Sequence, residues 1–89
     1  MAYLSIKHTV NNFNHWKTFY DSLEAARGQH GFIGSQILRG ADNPNQIVIL
    51  EEYLTLEGAR NWVHSADFHV GNGHAGVNCV PEISFFDHH

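Results

Sequence analysis

Eight histidines among 89 residues give this chain most of its chemical reach, and one of them, His8, stands in an unusual place. It falls in Tyr3-Leu4-Ser5-Ile6-Lys7-His8-Thr9-Val10, an alternating run that predicts a strand. Neighbouring strand side chains point to opposite faces, so Leu4, Ile6, His8 and Val10 share one face. Tyr3, Ser5, Lys7 and Thr9 share the other. His8 is then the only polar member of an apolar row, and its two ring nitrogens must be satisfied there. Either a structural hydrogen bond pins the ring or the ring lines a cavity. The second alternative has chemical consequences. An unperturbed imidazole titrates near neutral pH and can serve as a general base or a hydrogen-bond donor.

Other candidates are weighed against simpler roles. His64, His69 and His74 are each five residues apart, whereas two rings share a helix face at a spacing of three or four. No cysteine or carboxylate completes a recognisable ligand set, so no metal is expected. Gly71-Asn72-Gly73-His74-Ala75-Gly76 matches G-x-G-x-x-G, but it follows a helix and leads to a strand, the reverse of a dinucleotide site. It reads as a mobile connection able to close over a pocket. Cys79 has no adjacent base and is expected to be a small buried hydrophobe. Glu51 and Glu52 fall on opposite faces of one strand; whichever faces the interior requires a partner. Trp16, Phe19, Tyr20, Tyr53, Trp62 and Phe68 supply either core or the walls of an apolar pocket around His8.

The elements that must position these groups follow from periodicity and punctuation. Asn11, Asn12 and Asn14 offer a turn and a cap for a helix over Phe13 to Gln29. Trp16, Phe19, Tyr20, Leu23 and Ala26 form its apolar stripe, with Lys17, Glu24 and Arg27 off it. Phe32 to Arg39 predicts a second strand, with Ile33 and Ile37 on one face and Phe32 and Leu38 on the other. A polar loop, Gly40 to Asn45, leads to a third strand, Gln46 to Leu54, and the two suit an antiparallel hairpin. Thr55 caps a second helix carrying Leu56, Ala59, Trp62 and Val63, and Ser65 caps a short one over Ala66 to Val70. Val80 to Phe86 is the last strand. The order strand, helix, strand, strand, helix, strand gives an α+β, ferredoxin-like βαββαβ domain: a four-stranded antiparallel sheet with helices on one face. On the third strand Val48, Leu50 and Leu54 face one way and Ile47, Ile49 and Tyr53 the other. Both faces are apolar, so both should be covered, and a second copy of the chain would cover the face the helices leave.

Composition narrows the function classes. One domain, 1–89, is expected, with a thin core that oligomerisation would reinforce. The net charge of −4 and scattered Lys and Arg argue against nucleic acid. No run is apolar enough to span a membrane and no signal peptide is seen. With a single cysteine, a cytoplasmic location is expected. His88 and His89 read as a possible tag remnant.

Taken together, His8-Thr9-Val10, Phe13, Trp16-Lys17, Asp42-Asn43-Pro44-Asn45, Leu50-Glu51-Glu52-Tyr53, Ser65-Ala66-Asp67-Phe68, Gly76-Val77 and Pro81-Glu82 resemble the dimeric α/β-barrel superfamily, in its antibiotic biosynthesis monooxygenase-like and putative-cyclase branch. The resemblance implies two ferredoxin-like subunits paired sheet to sheet as a homodimer, each with a pocket between its sheet and helices. It implies a cofactor-independent monooxygenase or polyketide cyclase acting on a small aromatic or polyketide-like molecule. Haem degraders of the superfamily carry Asn on the first strand, Trp on the second helix and His beyond it. Here those places hold His8, Trp62 and Asn72. Only Trp62 agrees, and His69 or His74 could substitute only after rearrangement, so neither haem nor any other cofactor is expected. The site expected from residues and resemblance together has His8 as the catalytic group. Tyr53, Trp62, Phe68, His69, Asn72 and His74 would bind substrate. The alternative is a barrel that binds a small molecule without turning it over.

Overall fold

In a computed structural model, which describes residues 1–88, β1 (Ala2–Thr9) lies inside a four-stranded sheet. Its neighbours are β3 (Gln46–Tyr53) and β4 (Glu82–Asp87), and β2 (Phe32–Arg39) closes the far edge. The order is β2-β3-β1-β4 and every pairing is antiparallel, the ferredoxin-like arrangement expected of this sequence. His89 of the proposed tag remnant lies outside the described residues.

The alternation of β1 is realised as predicted. Leu4, Ile6, His8 and Val10 are all buried, and Ile47, Ile49, Glu51 and Tyr53 of β3 form the matching inner row. The register pairs Ile6 with Ile49 and His8 with Ile47. Helices α1 (Phe13–Ser22), α3 (Leu56–Val63) and α4 (Ala66–His74) cover this face, adding Trp16, Ala59, Trp62 and Phe68 to the core. Their starts are fixed by side chains that satisfy otherwise free N–H groups. Asn12 Oδ1 accepts from the His15 N–H at 3.0 Å, Thr55 from Gly58 at 3.0 Å and Ser65 from Phe68 at 3.2 Å.

Five expectations are corrected. The first helix is not continuous to Gln29: Leu23, at φ −95° and ψ 6°, separates α1 from a short α2 (Glu24–Gly28). Arg27 is buried on the inner side. It follows Trp16, Tyr20 and Leu23 at helical spacing, and its charge hid that placement. On β2, a bulge between Phe32 and Gly34 inverts the expected parity. Phe32 therefore packs inward on Tyr53, while Ile33 is 45% exposed. The predicted mobile connection is largely helix, because α4 continues through Gly71, Asn72 and Gly73 to His74. Cys79 is exposed, not buried, with its Sγ accepting the Thr9 N–H at 3.3 Å.

The outer face of the sheet carries Leu38, Leu50 and Phe86, at 52%, 39% and 53% exposure, beside Val48 and Tyr3. The third strand is thus apolar on both sides, with Ile47 and Ile49 toward the helices and Val48 and Leu50 away from them. Among the described residues no helix is long and apolar enough to cross a membrane.

Candidate functional site

Between the inner sheet face and the helices lies a cavity of about 30 Å³, room for roughly one or two water molecules. His8 of β1 forms part of its wall, with only 3% of its surface exposed. The ring meets Trp16 edge-on, centroids 5.7 Å apart, and Nδ1 has no hydrogen-bond partner among the described residues. Burial pushes the His8 pKa below the ordinary imidazole value, because the charged form would lose its hydration. The ring is therefore neutral at pH 7 and keeps a lone pair on one nitrogen.

Trp62 and Phe68 line the same cavity, ring centroids 5.9 Å apart at 82°, and Asn72 joins them from α4. These three come together with His8 as the sequence suggested. The remaining expected site residues do not line it. Tyr53 is fully buried behind the cavity, with its hydroxyl on Glu51. His69 and His74 are exposed. His69 packs on Phe68, and His74 stacks near Phe19, its carbonyl 3.0 Å from His15 Nε2. Among the described residues no three His, Cys, Asp or Glu gather as a metal site would require.

The cavity owes its shape to a close helix contact. Gly71 is buried in α4 against Leu23, and a methyl group there would come within 2.5 Å of Leu23 Cδ1. Both residues line the cavity. The absence of a side chain at Gly71 lets α4 approach the α1–α2 junction and narrow the space between.

The sequence reading missed a buried polar cluster that also lines the cavity. Tyr20 donates its hydroxyl to Glu51 Oε2 at 2.5 Å and Tyr53 donates to Oε1 at 2.9 Å. Arg27 Nε stands 3.7 Å from Glu51 Oε2, with both side chains almost wholly buried. Its Nη1 donates to the Tyr20 carbonyl at 2.8 Å, and the guanidinium lies over the Tyr20 ring, 3.7 Å from its centroid. Burial is the main influence on the Glu51 carboxyl and raises its pKa; the tyrosine hydroxyls and Arg27 act against that rise. The Tyr20 and Tyr53 hydroxyls are themselves raised, first by burial and then by the adjacent carboxylate. Tyr20, Arg27 and Glu51 all line the cavity. A signal did exist: Glu51 shares parity with Ile47, Ile49 and Tyr53, and a carboxylate in that row demands a donor or cation.

Comparison with known proteins bears on this arrangement. A family model described as antibiotic biosynthesis monooxygenase matches residues 15–72. No curated protein matches the chain. Among solved structures, SnoaB, a cofactor-independent oxygenase from Streptomyces nogalater, superposes with a TM-score of 0.77 at 16% identity. That match covers 99% of this chain and 92% of SnoaB. A conserved protein from Methanosarcina mazei Go1 gives 0.74 at 17% identity, covering 96% of this chain and 89% of that one. At these identities the structural likeness establishes the fold.

Proposed function

The chain belongs to the antibiotic biosynthesis monooxygenase family, and from that premise we propose that its cavity is the active site of a cofactor-independent monooxygenase or cyclase. The substrate is a small aromatic or polyketide-like molecule. The observation that carries this reading is His8: a neutral, buried imidazole whose Nδ1 has no partner among the described residues, in a cavity lined also by Trp16, Trp62 and Phe68. Such a ring accepts a proton from an activated carbon without first losing one of its own. The C–H bond breaks, the proton moves to the ring nitrogen, and the electron pair stays on the substrate as a delocalised carbanion. Dioxygen attack on that carbanion gives oxygenation, and attack on an internal carbonyl gives cyclisation. Trp62, Phe68 and Asn72 orient the ring system. Tyr53 acts from behind through Glu51, while His69 and His74, exposed on α4, take no part.

Association into a face-to-face dimer belongs to the same proposal. Leu38, Leu50 and Phe86 are apolar, exposed and on the sheet face without helices. A second copy presenting the same face covers them.

A second reading, ligand binding without turnover, is favoured by the narrowness of the cavity, which must widen to admit any ring system. A tricyclic anthrone in air separates the two. Oxygenation consumes one dioxygen per anthrone and yields the quinone and one water. Oxygen uptake by the parent protein, lost in His8→Ala, supports the enzyme. Binding without uptake overturns the oxygenase and leaves the carrier and the cyclase, and no binding overturns all three.

A further inference from the structure

We infer that Arg27 and Glu51 form a second reactive pair in this cavity, one that grips a weakly acidic hydroxyl of the ligand, an enol or a phenol, and removes its proton. The inference rests on the reading of the cavity as the ligand site, and it concerns residues of its lining other than His8.

The geometry is specific. Arg27 Nε and Glu51 Oε2 are 3.7 Å apart, too far for a direct hydrogen bond, and Nε has no partner among the described residues although it is buried. One oxygen placed about 2.8 Å from each atom would span that separation once the cavity, which must widen for any ring system, opens at the buried Nε. To satisfy both, it must accept from Nε–H and donate to the carboxylate. A hydroxyl does this; an ether or a ketone oxygen can only accept. Glu51 has acceptor capacity to spare, since each carboxylate oxygen offers about two lone pairs and each here receives one tyrosine hydroxyl. Arg27 cannot swing away to find another acceptor. Its Nη1 is tied to the Tyr20 carbonyl, and its guanidinium is held between the Tyr20 and Phe32 rings at 3.7 and 4.9 Å.

The step balances without any further reagent. The ligand O–H bond breaks, an O–H bond forms on Glu51, and the negative charge moves from the carboxylate to the ligand oxygen beside Arg27. Burial makes the Glu51 carboxylate a stronger proton acceptor than an exposed one, which favours the transfer. His8, Tyr20 and Arg27 are the other titratable or charged groups lining the cavity, with Tyr53 behind Glu51. Of these, only Arg27 remains positively charged at neutral pH, so it is the group that stabilises the new oxyanion.

The probes are 4-nitrophenol and its methyl ether, 4-nitroanisole, titrated against the parent protein. The phenol should bind at least about tenfold more tightly, since only it can donate to the carboxylate. The bound phenol should also show the phenolate absorption band at a pH where the free probe is still protonated. Glu51→Gln should remove the band and bring phenol affinity close to that of the ether, and Arg27→Met should weaken phenol binding more than ether binding, because the ether loses one accepted hydrogen bond and the phenolate loses its counter-charge. Equal affinities for phenol and ether overturn the inference while leaving the cavity reading intact. So does a phenolate band that survives Glu51→Gln. If neither probe binds, the cavity reading falls and the inference with it. The phenol-against-ether comparison needs no variant, so it stands even if Glu51→Gln does not fold.

Discussion

Two glycines two positions apart in α4, Gly71 and Gly73, should respond to the same substitution with opposite signs. Both lie in α4 at ordinary φ, so alanine is sterically allowed by the backbone at each. Alanine in a helix interior is favoured over glycine by about 1 kcal/mol, and by less near an end such as Gly73. At Gly73 the new methyl meets nothing within 4 Å. Gly73→Ala should therefore stabilise by about 0.5 kcal/mol. At Gly71 the methyl lies 2.5 Å from Leu23 Cδ1. Leu23 packs on the core at the α1–α2 junction, and forcing it aside costs about 1–3 kcal/mol. The propensity gain offsets part of that, leaving a net loss of up to about 2 kcal/mol. In a domain of this size each kcal/mol moves Tm by about 4–8 °C. Thermal melts followed by circular dichroism, all at one protein concentration because association also shifts Tm, would resolve the pair. Gly71→Ala should in addition weaken anthrone binding, since Leu23 is pushed toward the cavity. Equal stabilisation at both sites would refute the close contact of Gly71 with Leu23, and equal destabilisation would refute the helical course of α4 through Gly73.

Three further outcomes are expected. Arg27→Met leaves the buried Glu51 carboxylate without its cation and should destabilise by about 3 kcal/mol in urea unfolding, with Glu51→Gln added to it recovering part of the loss; an effect within about 0.5 kcal/mol would mean that the pair contributes nothing. Leu50→Asp places a charge on the outer sheet face and should convert a dimer to a monomer in sedimentation at micromolar concentration, whereas a parent protein that already sediments as a monomer refutes the face-to-face pairing. Because the folded pKa of His8 is below the ordinary 6.5, the unfolded chain takes up that proton first on acidification, so this residue's contribution makes stability fall as pH drops through 6.5 toward the folded value. His8→Ala should flatten the slope of stability against pH in that window, and an unchanged slope would show that the ring is not buried neutral.

How far the sequence carried depended on whether a period or a single charge decided the matter. The inner rows of β1 and β3 were legible because side-chain parity on a strand is strict, and His8 stood out within it. The caps at Asn12, Thr55 and Ser65 were legible because short polar side chains before an apolar stripe have one common use. Phe32 and Ile33 were misassigned because a bulge shifts parity by one and leaves no reliable mark in composition. The Gly-Asn-Gly run was misread as loop because helix propensity weighs glycine only as a penalty. Here Gly71 earns its place through the close approach of Leu23, a tertiary reason that no local window contains. His69 and His74 were assigned to the site by proximity along the chain, but a helix turns them outward while Phe68 and Asn72 reach the cavity.

The cost of this site falls on a domain ill placed to bear it. An 89-residue chain has a thin core, and this one sets His8, Arg27 and Glu51 within it. Two of the three carry a nitrogen without a partner among the described residues, and the third is a carboxylate whose ionised form burial disfavours. Apolar residues of similar volume in place of a buried ion pair are often neutral or stabilising, so the cluster is a poor device for holding the fold together. Its placement also differs from that of an incidental buried pair. Tyr20, Glu51 and Arg27 line the same cavity as His8, and the two nitrogens without a partner among the described residues belong to residues of that lining. A polar arrangement that weakens the core, lines the space a ligand would occupy and leaves its donors unspent is organised toward a ligand rather than toward stability. The apolar outer face completes the balance, because burying Leu38, Leu50 and Phe86 against a second copy would supply stability that the inner face gives up.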